Sequence, residues 1–310
     1  MKISVVMATY NGESYLAEQL ETIRRQSVEI DELIICDDCS KDRTVEIAQS
    51  YIAENGLTDK WKLVINEQNV GYANNFHKVA LMATGDLILF ADQDDLWREN
   101  KVQIMTELMK QHRDCMVLCS DYEPFYDGEQ VPAASKKILK KMPDNGTLEK
   151  IDLSAKSIYI GALGCCMCVR REFYHKVSNY WFDGWAQDDR MWRLAQCAKG
   201  CYILHSNLIK HRIHSNNTST YGKYHTTERR LRLFKAMQRA NYIMKDMLRD
   251  RSAGQKEQFI LDRHICMMNY RIAMLENRKI LKSVRLIPFL KYYQEIKSFP
   301  VEIYMVLTKK

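Results

Sequence analysis

Proline and glycine are scarce in this 310-residue chain, with 5 and 12 residues respectively. Long disordered linkers are usually rich in both, so their scarcity argues against such linkers. No apolar run approaches the ~18–20 residues that a membrane-spanning helix needs. The first residues enter an apolar strand pattern directly and lack the features of a secretory signal. We therefore expect a folded, cytoplasmic protein.

The ten cysteines form spacings that could serve zinc sites or disulfides. Cys36 and Cys39 flank two aspartates at the end of a predicted strand, and Cys166 and Cys168 share one face of another. Because the chain shows no export signal, we expect reduced and mostly buried thiols. Structural zinc is the alternative that the spacing leaves open.

Charge is distributed unevenly along the chain. Residues 223–310 hold 20 Lys and Arg and 8 Asp and Glu, a net charge of +12, although the whole chain carries only +7. Such a basic segment attracts an anionic partner, either nucleic acid or a phospholipid surface. Its aromatic residues fall on apolar stripes rather than beside the charges, so we expect no nucleic-acid binding.

Helical patterns cover 226–250 and 256–282 of this basic segment, and a third pattern begins at Leu286. There Phe289, Leu290, Tyr293 and Ile296 recur at helical spacing opposite basic residues, which predicts an amphipathic helix at a membrane interface. The alternative is a set of helices that pack on the catalytic domain with their charges in water.

The first 120 residues alternate apolar strand patterns with helical patterns. The predicted strands are 3–8, 33–36, 61–65, 87–91 and 115–120, and the predicted helices are 13–26, 42–53, 74–82 and 99–111. Near-continuous apolar strands between helices predict a mostly parallel α/β sheet, covered on both faces. In such sheets ligands bind at the carboxyl ends of the strands.

Polar loops follow three of these strands, at 9–12, 37–40 and 92–95. The glycine-rich motifs G-x-G-x-x-G and G-x-x-x-x-G-K-[ST] are both absent. The site therefore binds its nucleotide without a glycine cradle, and it is lined with carboxylates. Asp92 and Asp94 are spaced to approach one cation, and carboxylates are ligands that Mg²⁺ and Mn²⁺ prefer. The alternative is a solvated turn.

Four segments of the chain resemble motifs of glycosyltransferase family 2 in order and spacing. They are VVMATYN at 5–11, IICDDCS at 34–40, NVG-x-x-N at 69–74 and ADQDD at 91–95. The segment 92–97 is especially similar to the bacterial rhamnosyltransferase-like branch. The resemblance covers roughly residues 1–218. It implies a GT-A catalytic domain over 1–221, with a nucleotide-sugar half over 1–120 and an acceptor half over 121–221, then a basic helical region over 222–310.

The resemblance also implies which residues bind the nucleotide sugar: Thr9, Tyr10, Asn11, Asp38, Asn74, Asp92 and Gln93. Thr9 and Tyr10 match the loop that packs on the nucleobase, and Asp38 matches the aspartate that binds the base edge. Asp94 and Asp92 match the D-x-D motif for a divalent metal, Mn²⁺ or Mg²⁺, with Asp94 as the direct ligand.

Two further segments extend the resemblance. The segment WAQDDRMW at 185–192 matches a helix start at which an aspartate, here Asp188, is the general base. Gln187 departs from the usual acidic or histidine residue, and Asp189 or a purely helix-capping role is the alternative. The segment RIHSNN at 212–217 is similar to a terminal R-x-H-x-x-N signature, in which His214 would reach the metal or the diphosphate; a purely structural histidine is the alternative.

Together these features predict a bacterial, metal-dependent inverting glycosyltransferase of cell-envelope polysaccharide biosynthesis. The donor would be a dTDP- or UDP-sugar, with rhamnose one candidate, and the acceptor a hydroxyl of a cell-surface glycan or lipid-linked oligosaccharide. The enzyme would be cytoplasmic and peripheral at the inner face of the membrane. The alternatives are an inactive nucleotide-sugar-binding scaffold of the same fold and a nucleotidyltransferase, which normally has a glycine-rich basic loop after its first strand.

Overall fold

A computed structural model describes residues 1–127, 142–214, 226–249, 254–278 and 280–308 of the chain. The chain divides into two compact units. The first consists of Met1–Ile151 and Ala162–Ser215, and the second of Asp152–Gly161 and Asn216–Lys310. The predicted boundary between 221 and 222 lies outside the described residues. The sequence did not indicate that Asp152–Gly161 groups with the C-terminal part.

The first unit is built on a sheet of nine strands. The strands are β1 (Ile3–Thr9), β2 (Glu32–Asp37), β3 (Trp61–Ile65), β4 (Leu87–Asp92), β5 (Leu96–Trp97), β6 (Val117–Tyr126), β7 (Leu148–Lys150), β8 (Met167–Arg170) and β9 (Cys201–Ile213). Among the residues of this unit that the structure describes, six α-helices accompany them: α1 (Leu16–Arg24), α2 (Thr44–Glu54), α3 (Tyr72–Met82), α4 (Lys101–Gln111), α5 (Arg171–Lys176) and α6 (Gln187–Cys197). The predicted α/β fold with flanking helices is confirmed.

Strand order in the sheet is β3-β2-β1-β4-β8-β6-β9-β5, and β7 pairs with β9. Strands β3, β2, β1 and β4 are parallel, as predicted. Strand β8 runs antiparallel between β4 and β6, so the complete sheet is mixed. Strands β1, β2 and β4 are buried along almost their whole length, which explains why their sequences are continuous apolar runs rather than alternating ones. Strand β3 is buried only at Trp61. The carboxyl ends of the parallel strands form one edge, which carries the polar loops.

All ten cysteines are free, and eight of them are buried. The prediction of reduced and mostly buried thiols is therefore confirmed. The prediction that Cys166 and Cys168 share a strand was wrong in one respect. Cys166 ends a short 3-10 turn, Gly164–Cys166, and the strand begins at Met167.

The second unit contains three α-helices, α7 (Thr227–Arg249), α8 (Gln255–Asn277) and α9 (Ser298–Thr308), and a 3-10 helix, Ile280–Tyr292, among its described residues. Its interior holds a buried ion pair between Glu302 and Arg271. The Arg271 guanidinium also packs on the rings of Phe234 and Tyr293, at 3.9 Å and 4.3 Å from their centroids. None of the helices described is both long and apolar enough to cross a membrane.

The amphipathic helix predicted from Leu286 onward does not form as expected. The 3-10 helix ends at Tyr292, and Phe289 and Tyr293 are buried rather than exposed. Pro288 lies inside this segment and has no backbone N–H, so it cannot contribute a donor to an α-helical ladder. The most exposed large apolar residues of the 3-10 helix are instead Leu281, Val284 and Ile287.

Candidate active site

Four aspartates meet near the carboxyl end of β4. Asp92 ends this strand, Asp94 and Asp95 follow it, and Asp188 lies in the first turn of α6. Burial and the negative charges of Asp95 and Asp94 raise the pKa of Asp92 well above its usual range, and Asp188 adds to the effect. The structure thus brings together the predicted metal ligands and the predicted general base, although about 90 residues separate them in sequence.

Asp95 is fully buried and forms an ion pair with His211. Its Oδ1 atom lies 2.8 Å from His211 Nδ1 and accepts a hydrogen bond from the backbone N–H of Arg212. Burial lowers the pKa of His211, but the Asp95 carboxylate more than offsets this and raises it to about 9. The histidine is therefore an imidazolium at neutral pH.

Asp95, Cys165 and His211 also form a potential cation site, since their ligand atoms lie within 4.8 Å of one another. A mixed oxygen, sulfur and nitrogen set suits zinc better than Mg²⁺ or Mn²⁺. In the ion pair that the structure shows, His211 and Asp95 anchor the acidic loop to β9, and a metal bound at this position would have to displace the proton of His211.

Asp94 contacts His214, which directly follows β9. The Asp94 Oδ2 atom lies 2.9 Å from His214 Nε2, and the histidine ring packs on Tyr15 at 4.8 Å between centroids. The guanidinium of Arg212 donates to the backbone carbonyl of Asp94 over 2.8 Å. The predicted metal pair Asp94 and His214 is thus brought together. Ser215, Asn216 and Asn217 of the same predicted signature lie outside the described residues.

The donor types at this edge suit a divalent cation, although the group of three that the described residues bring within 4.8 Å of one another is Asp95, Cys165 and His211. Asp92 and Asp94 offer carboxylate oxygens and His214 offers an imidazole nitrogen, a combination that suits Mn²⁺ in particular. Burial and, after it, the negative charges of Asp95 and Asp94 raise the pKa of Asp92, and a dication would offset that negative charge.

Asp188 and Asp189 have different surroundings, although they are adjacent. Asp189 accepts a hydrogen bond from Trp185 Nε1 and forms an ion pair with Arg193, both at 2.8 Å. Asp188 accepts the backbone N–H of Asp189 over 2.8 Å, and it has no cationic partner among the residues that the structure describes. Burial raises the pKa of Asp188 to about 6. Asp189 therefore holds the helix in place, whereas the carboxylate of Asp188 is available for chemistry.

A close approach at Gly164 positions Asp188. A Cβ atom at residue 164 would lie 2.5 Å from Gln187 Nε2 and 3.4 Å from Asp188 Cβ. The first of these distances is too short for real contacts, so a larger residue at 164 would require the Gln187 side chain to move away from the turn Gly164–Cys166. The sequence alone did not indicate this requirement.

Gln93 links the first and third polar loops. Its Oε1 accepts the backbone N–H of Tyr10 over 2.8 Å, and its Nε2 donates to the carbonyl of Tyr10 over 3.0 Å. A Cβ atom at Gly12 would lie 2.4 Å from Gln93 Oε1. The ring of Tyr10 stays 48% exposed, so the link holds its backbone and leaves the aromatic face accessible.

Thr9 and Asn11 bond to the second polar loop. The Thr9 hydroxyl donates to Asp37 over 2.8 Å, and Thr9 is only 2% exposed. Asn11 has a left-handed backbone with φ of 48°, and its side-chain oxygen accepts the backbone N–H of Lys41 over 2.8 Å. Both side chains therefore stabilise the loop pair in this structure.

Asp38 is saturated by three neutral donors. They are the side-chain amide of Asn66 at 2.9 Å and the backbone N–H groups of Val70 and Gly71, each at 2.8 Å. The carboxylate thereby holds the loop that leads into α3. On that helix, Asn74 donates to the Val70 carbonyl over 3.0 Å and to Asp183 over 2.7 Å, which connects α3 to the loop before α6.

Sequence reasoning missed three residues beneath the site: Asp95 as an ion-pair partner, His211 and Lys101. Lys101 is fully buried, donates to the Cys165 carbonyl over 2.7 Å and lies 3.6 Å from the centroid of the Trp97 ring. Burial lowers its pKa to about 8. The third aspartate of D-x-D-D could have drawn attention to Asp95, but nothing near His211 in the sequence indicated that the two residues form an ion pair.

Comparison with known families gives a match over most of the first unit. Residues 4–178, more than half of the chain, match the family model described as glycosyl transferase family 2. EpsE of Bacillus subtilis, named as a glycosyltransferase, is 34% identical over 149 residues, which cover 48% of this chain and 52% of EpsE. The chain thus spans about half the length of that relative.

Two further relatives have more specific names. A UDP-Gal:alpha-D-GlcNAc-diphosphoundecaprenol beta-1,3-galactosyltransferase of Escherichia coli is 27% identical over 208 residues, covering 64% of this chain and 69% of that protein. The poly(ribitol-phosphate) beta-N-acetylglucosaminyltransferase TarS of Staphylococcus aureus is 31% identical over 121 residues, covering 38% of this chain and 20% of TarS.

Solved structures show the same fold. TarS 1-349 in complex with UDP-GlcNAc has a TM-score of 0.63 at 17% identity, covering 100% of this chain and 93% of that chain. The mannosyltransferase PcManGT from Pyrobaculum calidifontis, in complex with GDP-Man and Mn²⁺, has a TM-score of 0.55 at 15% identity, covering 100% and 88%. At these identities the likeness concerns the GT-A fold alone.

Proposed function

We propose that this chain, which belongs to glycosyl transferase family 2 and is a glycosyltransferase, transfers a sugar from a nucleotide-diphosphate donor to an acceptor hydroxyl with inversion. The observation that carries the proposal is the pairing of two features at one sheet edge. A carboxylate without a cationic partner among the described residues, Asp188, stands close enough to Asp92 for its charge to act there. Asp92 and Asp94 in turn offer a cation the oxygen ligands it needs.

Asp188 is the general base of the proposed reaction. With its pKa raised to about 6, it is ionised at neutral pH and more basic than an ordinary carboxylate. It removes the proton of the acceptor hydroxyl while the oxygen attacks the anomeric carbon. The bond from that carbon to the diphosphate oxygen breaks on the opposite face, and its electron pair leaves with the nucleoside diphosphate. General-base assistance of this kind contributes about 10²–10⁴-fold to the rate.

Asp94, Asp92 and His214 are the residues that would hold Mn²⁺ or Mg²⁺. When bound, the ion supplies positive charge that stabilises the leaving diphosphate. Asp95 and His211 keep the acidic loop in register with β9 through their buried ion pair. The exposed ring of Tyr10 would pack on the nucleobase, and Asp38 would support that pocket by holding the backbone at Val70 and Gly71.

The donor and the acceptor are the finer parts of the proposal. A UDP-sugar is supported by the names of the relatives, and dTDP-rhamnose by the similarity of 92–97 to the rhamnosyltransferase-like branch. The acceptor would be a hydroxyl of a cell-envelope glycan or of a lipid-linked oligosaccharide. The enzyme would work at the inner face of the membrane and contact it through the C-terminal unit.

A donor screen tests this function. Purified protein is incubated with Mn²⁺ and each common nucleotide sugar, and released nucleoside diphosphate is measured. We expect slow hydrolysis of one donor, abolished by EDTA and by Asp94→Ala. If no donor released nucleoside diphosphate and no nucleotide bound in a metal-dependent way, the result would contradict the proposal and favour the inactive scaffold.

A further inference from the structure

The 3-10 helix Ile280–Tyr292 of the second unit arranges its side chains in three rows. A 3-10 helix has 3.0 residues per turn, so residues three apart stand above one another along its length. One row, Leu286, Phe289 and Tyr292, is buried at 0%, 5% and 2% exposure. This inner row attaches the helix to its unit and fixes which rows face outward.

The second row is apolar and exposed. It contains Leu281, Val284 and Ile287, which are 83%, 62% and 55% exposed. A single exposed apolar side chain needs no explanation, but a continuous apolar row marks a contact surface. Since each side chain in this row is more exposed than buried, covering the row with an apolar partner would contribute further hydrophobic free energy.

The third row is basic. It contains Lys282, Arg285 and Lys291, with Pro288 between them, and the whole segment from 280 to 292 contains no acidic residue. An apolar row beside a row of positive charge is the pattern of a segment that lies in a membrane interface. We propose that this 3-10 helix is a docking surface for an anionic phospholipid bilayer, with the apolar row in the interface and the basic row on the headgroups.

Helix α9 adds a second apolar row in the same unit. Val301, Tyr304 and Leu307 follow one another at intervals of three residues and are 44%, 54% and 64% exposed. Helix α9 packs on the 3-10 helix. Within this unit, therefore, two neighbouring elements expose apolar side chains, which enlarges the area that a bilayer could cover.

Charge decides between a bilayer and a second copy of the chain as the occupant. Two copies docked through this helix would bring two basic rows together, and like charges at close range are destabilising. An anionic bilayer supplies both the negative charge and the apolar medium, and each basic residue near such a surface contributes about 1 kcal/mol, which corresponds to about fivefold in affinity. The inference deepens the membrane contact of the proposed function by naming the docking surface, and it can fail independently of sugar transfer.

Vesicle flotation of the full chain without donor tests the inference. We expect binding to vesicles of phosphatidylcholine with phosphatidylglycerol, weaker binding to phosphatidylcholine alone, and release at high salt. Neutralising Lys282, Arg285 and Lys291 together to Gln should lower the affinity on the order of 100-fold. Changing Leu281, Val284 and Ile287 together to Ser should lower it at least about tenfold, because the inserted apolar area is lost.

A matched control uses three exposed apolar residues of the first unit. Ile65, Leu81 and Met82 are 49%, 39% and 40% exposed, and changing them together to Ser should leave vesicle binding unchanged. Circular dichroism and light scattering of each variant report folding and oligomeric state. The inference is overturned if the wild-type chain ignores anionic vesicles or if the control loses binding as much as the row variants. It is also overturned if the apolar-row variant changes only the oligomeric state, which would identify a second copy as the occupant.

Discussion

Two pairs of acidic residues lie at the carboxyl edge of the same sheet, and they differ in how their charge is compensated. Asp37 ends β2, Asp38 follows it, and both are surrounded by hydroxyl, amide and backbone donors. Asp92 ends β4 and Asp94 follows it at the same sheet edge, where burial and the neighbouring carboxylates raise the pKa of Asp92. The first pair is saturated and builds loops, whereas the second leaves oxygen ligands for a cation. Proximity to a strand end therefore does not by itself identify a catalytic carboxylate.

The largest effect on turnover is expected at Asp188, in the first turn of α6. Asp188→Asn should lower turnover about 10²–10⁴-fold, because the acceptor hydroxyl loses its base, and should leave donor affinity nearly unchanged. Single-turnover transfer and donor titration separate the two quantities.

The neighbouring residue is the matched control for this change. Asp189→Asn weakens the pair with the buried Arg193, so it should destabilise the fold by about 1–3 kcal/mol while the folded enzyme keeps its turnover. Wild-type turnover in Asp188→Asn, or a larger loss of turnover in Asp189→Asn, would show that the assignment of the two aspartates is reversed or wrong.

The next effect concerns the metal ligands. Asp94→Ala should lower nucleotide affinity in the presence of Mn²⁺ at least about 10- to 100-fold, because a direct ligand contributes no less than the residues that support the ligands through hydrogen bonds. Calorimetric titration with Mn²⁺, and again with EDTA, measures the metal-linked part. Equal affinities of variant and wild type under both conditions would remove Asp94 from the metal site.

A smaller effect is expected from pH. Asp188 must be ionised to act as a base, and its pKa is raised to about 6. Turnover should therefore rise with pH through that value and fall by about tenfold between pH 7 and pH 5 as the carboxylate is protonated. A profile that stays flat over this interval at saturating substrates would contradict the assignment.

The smallest catalytic effect is expected at the saturated pair. Asp38→Asn removes the charge that accepts the N–H groups of Val70 and Gly71, so it should destabilise the first unit by about 2 kcal/mol. Denaturant unfolding followed by tryptophan fluorescence measures the change. The folded variant should still bind Mn²⁺ together with the nucleotide. Loss of that binding would mean that the two aspartate pairs do not differ in the way proposed.

Local patterns account for the parts of the structure that the sequence predicted well. Strands β1, β2 and β4 are buried and mostly apolar, so their approximate limits and the loops after them could be predicted. The position of Asp188 in the first turn of a helix could be predicted because a family motif places it there. The ion pair between Asp95 and His211 could not be predicted, because it joins residues 116 positions apart and depends on the pairing of β5 with β9.

The C-terminal unit shows a different failure. Apolar residues there recur every three to four positions, which fits an α-helix and a 3-10 helix equally well over a short segment. The choice between the two periods decides which residues face outward. The α-helical period placed Phe289 on an apolar stripe for a membrane or for packing, whereas the 3-10 period buries it and exposes Leu281, Val284 and Ile287.

Electron paramagnetic resonance of bound Mn²⁺ tests most directly the difference between the pair Asp37 and Asp38 and the pair Asp92 and Asp94. Wild type, Asp94→Ala and Asp38→Asn are each titrated with Mn²⁺ in the presence of UDP or dTDP. We predict one nucleotide-linked Mn²⁺ in the wild type, the same stoichiometry with weaker nucleotide affinity in Asp38→Asn, and none in Asp94→Ala. An unchanged Mn²⁺ signal in Asp94→Ala, or its loss in a folded Asp38→Asn, would contradict the account.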